Sequence, residues 1–297
     1  MFPVLFRIPM SWFPGADADT VFPIRMFGVM VILGFLAGTW LIGRRLEKRN
    51  ILERQDSFDF CFYLLATGIA GSRLLYVIQE FDRFRGKFFD VFKIWEGGLV
   101  WYGGFACATI FAFWFTAKRK LPVLVVTDAT VMGLALALAV GRWGCFCAGD
   151  DYGAKLLAED GSPIILPEHA PWYAVQFPSP ADGWRYQYSE TASSFRTPYW
   201  LHPVQIYMSL SNFIVLGLLF VVSRLRMALD RPGVVTASYL MLYPVARFVV
   251  EFWRGDADRG LDVMGSGLSF SQAFGIPVFL LGAALLRRSL RSAPRAA

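Results

Sequence analysis

Three arginines occupy positions where arginine is costly. Arg73, Arg142 and Arg247 each fall within an apolar stretch long enough to cross a bilayer. A charged side chain at membrane depth is rare and by default marks a functional site. At 1.5 Å per residue, Arg73 and Arg247 lie about 24 and about 21 Å from the inner ends of their stretches, and Arg142 lies near the outer end of its own. One reading has each arginine snorkelling to the interface or pairing with a carboxylate, as Arg247 can with Glu251 four residues on. The other gives all three a shared anionic partner. We favour the second, because guanidinium grips phosphate through two parallel hydrogen bonds and stays charged when poorly solvated. A phospholipid headgroup is the anion available at that depth.

Glycines bracket the same region. Gly97, Gly98, Gly103 and Gly104 flank Tyr102, Gly141 and Gly144 flank Arg142, and Gly149 and Gly153 follow. Glycine admits close approach of a ligand or of a second helix. Helix packing accounts for some of these positions. The bracketing of Tyr102 and Arg142 points to a ligand for the others. Of the two histidines, His202 precedes Pro203 at the mouth of an apolar stretch and reads as a polar contact there, while His169 reads as solvated. Asp128 suits a helix N-cap. Cys61, Cys107, Cys145 and Cys147 show neither metal-ligand nor disulfide-framework spacing and read as free thiols.

The elements that must position these residues are membrane helices. Hydrophobic residues make up 56% of the 297 and charged residues only 18%, below the roughly 25% of a soluble domain. The expected fold is an all-α polytopic membrane protein with about seven spans near 21–43, 57–80, 97–117, 122–146, 203–224, 233–254 and 266–286. Lysines and arginines crowd alternate loops: Arg44 to Arg54, Lys118 to Lys120, Arg224 to Arg231, and Arg287 to Arg295. The positive-inside rule then puts the N-terminus outside and the C-terminus inside. It also accounts for the net charge of +6 without nucleic acid. Residues 1–13 lack a basic leader region and a cleavage site and read as an interfacial segment. One long outer loop or head, 150–201, carries Asp150, Asp151, Asp182 and Glu190 among its acidic residues. The whole chain, 1–297, reads as a single transmembrane domain.

With these motifs in order, the chain resembles the prolipoprotein diacylglyceryl transferase family from about Phe22 to Arg288. The resemblance rests on Ile24 to Gly28, Gly71-Ser72-Arg73-Leu74, Gly97-Gly98, Gly103-Gly104, Gly141-Arg142-Trp143-Gly144 with Gly149 and Gly153, Trp172 to Pro178, His202 to Tyr207, and Arg247 to Arg254. It implies a multi-pass enzyme of the bacterial inner membrane. Such an enzyme moves the diacylglyceryl group of phosphatidylglycerol onto the lipobox cysteine of prolipoproteins, without metal or organic cofactor. By position, Arg142 and Arg247 look like the catalytic, phosphate-binding pair. Arg73, Gly98, Gly103, Gly104, Gly144, Gln205 and Glu251 look like further substrate contacts. The family's usual histidine before the second glycine pair is Tyr102 here, which makes Tyr102 the candidate base, although a phenol is a weaker base than imidazole at neutral pH. Phe27, Cys145, Ala148 and Met208 also depart from the usual tyrosine, asparagines and glutamate. The alternative reading is a relative that binds phosphatidylglycerol but serves another acceptor.

Overall fold

The computed structural model describes residues 4–9, 21–86, 88–94, 97–177, 199–255 and 266–291. Residues 178–198 of the long loop, with Asp182 and Glu190, lie outside the described residues, as do 256–265 and Arg295. Nine α-helices occur among the described residues: α1 Met26–Lys48, α2 Arg54–Gln79, α3 Phe81–Phe84, α4 Trp101–Lys118, α5 Val123–Ala148, α6 Val204–Val222, α7 Arg226–Asp230, α8 Val234–Val250 and α9 Phe270–Arg291. Six segments are long and apolar enough to cross a membrane: α1, α2, α5, α6, α8 extended to Trp253, and α9. The remaining expected span corresponds to α4, which has 18 residues. Trp101, Tyr102, Gly103 and Gly104 open that helix and dilute its apolarity. Ile78, Ile110, Leu210 and Leu280 project large apolar side chains outward from these helices, the surface a helix presents to lipid.

The first expected span begins later than its apolar run. Val21–Arg25 forms β2, paired antiparallel with β1, Val4–Pro9, through partners such as Phe6 with Ile24. Pro23 cannot occupy a helix interior, so the helix starts at Met26. The segment expected to lie at the interface is thus partly a strand.

The chain forms two compact units. Residues 39–133 make one, in which α2 packs on α4. Residues 1–38 and 134–297 make the other, in which α8 packs on α9 and α6. Both pairings depend on small residues. An added Cβ at Gly103 would stand 2.3 Å from the Gly71 carbonyl oxygen, and one at Gly104 would stand 2.3 Å from Ser72 Oγ and 2.8 Å from the Gly68 oxygen. In the second unit, Gly282 brings α9 within similar reach of Leu240 and Ala237 on α8. Backbone contact of this kind supplies the dispersion that joins helices in lipid, where no hydrophobic force separates protein from solvent. Gly104→Val should therefore destabilise the fold by about 1–3 kcal/mol, visible as a thermal midpoint several degrees lower in detergent. An unchanged midpoint with impaired lipid binding would return Gly104 to a ligand role.

Candidate functional site

The larger unit gathers a cluster of arginines and carboxylates, and a helix ending builds it. After α5 the Asp150 amide donates to the Cys145 carbonyl at 3.0 Å and the Gly149 amide to the Phe146 carbonyl at 3.3 Å. With Gly149 at φ 77°, this is a Schellman turn. Its tight reversal, continued by Asp151 at φ 52°, carries the Asp151 carboxylate back to the Arg142 guanidinium, with which it forms an ion pair. The other Asp151 oxygen accepts from Arg254 Nη2 at 3.0 Å.

Arg254 is delivered there by close backbone pairing. The Ala154 amide donates to the Trp253 carbonyl at 2.8 Å, and the Gly255 amide donates to the Tyr152 carbonyl at 3.2 Å. A Cβ at Gly153 would stand 2.1 Å from the His202 carbonyl oxygen, and one at Gly255 would stand 2.5 Å from the Gly153 oxygen, so neither position admits a side chain. Gln205 completes the frame: wholly buried, it donates its amide to the Asp150 carbonyl at 2.7 Å.

Arg247 pairs with Glu251 at the end of α8, as their spacing of four allows. Glu251 is 3% exposed. Arg142 and Arg247 line one narrow cleft together with Met208, Ser211, Asn212 and Tyr243. The bonded cluster thus sets three guanidinium groups against two carboxylates. That is a site for an anion in a poorly solvated place.

Outside the spans, burial alone would raise the carboxyl pKa of Asp151. The charges of Arg142 and Arg254 outweigh it and hold Asp151 below the usual carboxylate range. A group whose value falls on folding adds stability above its unfolded value, near 3.9, and loses it as pH drops through the folded one. Thermal stability should therefore stay level from neutral pH to about pH 5 and decline in more acid solution. Asp151→Asn should lower the neutral plateau and flatten the acid decline. An unaltered acid limb in that variant would show that the pair adds nothing. His202 lies beside the cluster's frame, stacked on Tyr173 with ring centroids 6.1 Å apart, and burial lowers its pKa, so the ring is neutral at pH 7.

The smaller unit holds Arg73, Gly98, Tyr102, Gly103 and Gly104. Arg73, 6% exposed, is occupied by backbone. It donates to the carbonyls of Asp90, Val91, Gly97 and Gly98 at 2.7, 2.8, 2.6 and 3.2 Å. Its guanidinium carbon also lies 5.5 Å from the ring centroid of Tyr76 and 5.3 Å from that of Phe84. The side chain thus ties the segment ahead of α4 to α2.

The glycines also lie close against protein. Gly98, at φ 72°, leaves room for the Tyr76 ring 2.3 Å from where its Cβ would be, and Gly103 and Gly104 serve the α2–α4 contact. In the larger unit Gly144 packs α5 on α1, its added Cβ 3.1 Å from the Phe27 oxygen. All four approach protein closely. Tyr102 stands half-exposed in the first turn of α4, edge-on to Trp101.

Sequence reasoning missed Asp151, Arg254, Asn212 and Tyr243. In the sequence Asp151 is one of the outer loop's acidic residues and Arg254 only closes a motif. Their signal was the glycine at each neighbouring turn, Gly153 and Gly255, which lets the two loops meet. Among the described residues no group of three or more His, Cys, Asp or Glu side chains is placed to hold a metal.

The family model for prolipoprotein diacylglyceryl transferase matches residues 17–288. A protein of Burkholderia ambifaria is 32% identical over 91% of this chain and 92% of its own length. One of Paraburkholderia xenovorans is 31% identical over 92% and 91%. One of Paraburkholderia phymatum is 32% identical over 92% and 93%. Each is named a phosphatidylglycerol–prolipoprotein diacylglyceryl transferase. With a match across nearly its full length and an arginine cluster at the family's motifs, this chain belongs to the prolipoprotein diacylglyceryl transferase family.

Proposed function

We propose that this protein transfers the diacylglyceryl group of phosphatidylglycerol to the cysteine thiol of prolipoproteins at the bacterial inner membrane. The observation that carries this reading is the shared cleft of Arg142 and Arg247. In the reaction the thiol sulfur attacks the glyceryl carbon that bears the phosphate. A C–S bond forms and the C–O bond breaks. Glycerol phosphate departs with the bonding electrons, and the thiol proton passes to a base. The developing charge lies on the departing phosphate, so preorganised guanidinium groups lower the barrier where it is highest. In the resting protein Asp151 and Glu251 hold Arg142 and Arg247 in place, and the two guanidinium groups that line the cleft draw the phosphate.

The proton is assigned in this reading to Tyr102. The assignment makes a kinetic prediction: Tyr102→His should move the acid limb of the pH–rate profile to lower pH, toward the range of an imidazole. A limb that stays in place removes Tyr102 from proton transfer.

The activity is tested by adding phosphatidylglycerol and a lipobox peptide to the purified protein and weighing the peptide by mass spectrometry. Gain of one diacylglyceryl group on the cysteine is expected. Lipid binding without that gain would favour the alternative, a relative that serves a different acceptor.

A further inference from the structure

Two buried amides stand seven residues apart on α6. Gln205 Nε2 donates to the Asp150 carbonyl and Asn212 Nδ2 to the Met208 carbonyl, each at 2.7 Å. A nitrogen must face each carbonyl, because an oxygen there would repel it, so both amide orientations are fixed by chemistry. Each side-chain oxygen is buried and meets no donor among the described residues. Gln205 sits against the turn that ends α5. Asn212, only 6% exposed, lines the cleft of Arg142 and Arg247.

An acceptor left unmatched in such a place is costly, and a site that keeps one is shaped for a donor. The arginines supply donors alone. The cleft therefore complements a ligand that offers an anionic acceptor and, close by, a neutral hydroxyl. The whole cleft is narrow, with room for about one oxygen-sized group.

We propose that the Asn212 carbonyl oxygen accepts a hydrogen bond from a hydroxyl of the headgroup glycerol, and so sets the preference for a hydroxylated phosphodiester headgroup. The inference rests on the phosphatidylglycerol reading above. Asn212 makes no bond to a reacting atom; it is a specificity-determining residue. A pocket built to hydrogen-bond a hydroxyl discriminates against the analogue that lacks it, because its polar group is then stranded.

The test compares phosphatidylglycerol with phosphatidylpropanol, which keeps the phosphodiester and loses both headgroup hydroxyls. Each lipid is offered in detergent micelles and its binding to the full chain is read by native mass spectrometry. Wild type should prefer phosphatidylglycerol by about tenfold or more. Asn212→Leu, close in size and apolar, should bring the two lipids within about threefold of each other. It should do so by weakening phosphatidylglycerol while phosphatidylpropanol binds as before, which also shows the variant to be folded. Asn212→Ala should behave the same way. Variants that keep the wild-type preference overturn the inference alone, as does a wild type that binds both lipids equally. A wild type that binds neither lipid overturns the phosphatidylglycerol reading, and this inference with it.

Discussion

Arg142→Ala should lower kcat/KM for lipid transfer by about a hundredfold to a thousandfold, the loss typical of one donor removed from a developing anion. Phosphatidylglycerol binding should weaken with it. The fold should survive, because Asp151 keeps Arg254 as a partner at 3.0 Å and the Schellman turn after α5 is held by backbone bonds. Arg142→Lys should recover little. An ammonium cannot reproduce the planar fork that binds Asp151 on one side and offers further N–H groups to the cleft. Transfer is measured by mass spectrometry of the lipobox peptide, and retention of fold by the thermal midpoint. Wild-type turnover in Arg142→Ala would place the phosphate elsewhere and dismantle the cleft as the headgroup site.

How far the sequence reveals this site depends on which interactions are local. The pairing of Arg247 with Glu251 follows from a spacing of four on one helix, and the buried character of the arginines follows from their apolar neighbours. Helix positions are legible for the same reason, except where Pro23 delays α1 and where the aromatic, glycine-bearing start of α4 blunts its apolarity. The roles of Arg73 and the glycines were not legible. An arginine bound to phosphate and one bound to four backbone carbonyls look identical in sequence, and the positive φ of Gly97 and Gly98 accompanies only two of those carbonyls. Glycine likewise signals close approach without saying to what. Asp151 and Arg254 lie 103 residues apart, and their meeting depends on a loop pairing that no periodicity encodes. Asn212 carried no signal at all, since its meaning lies in a carbonyl oxygen that the protein leaves unmatched.

Arg247 and Glu251 allow stability and catalysis to be separated. Their side chains are 15% and 3% exposed, so the pair is largely desolvated, and removing one partner strands the other. Glu251→Leu should destabilise the protein by about 3–5 kcal/mol, the usual cost of an uncompensated buried charge. The loss should appear as a markedly lower thermal midpoint in detergent. Arg247→Leu alone strands the carboxylate. Replacing both by leucine removes the charges together, and apolar substitution of a buried ion pair is often neutral or stabilising. The double variant should therefore recover most of the midpoint that either single variant loses, a strong non-additivity for two residues in contact. It should recover none of the transfer activity, because the second guanidinium of the cleft is gone. A stable and active double variant would show that Arg247 serves packing alone. A double variant as unstable as the two single changes combined would show that the pair is not energetically coupled. The recovery of fold without recovery of transfer is the result that identifies Arg247 as a group kept for the headgroup phosphate.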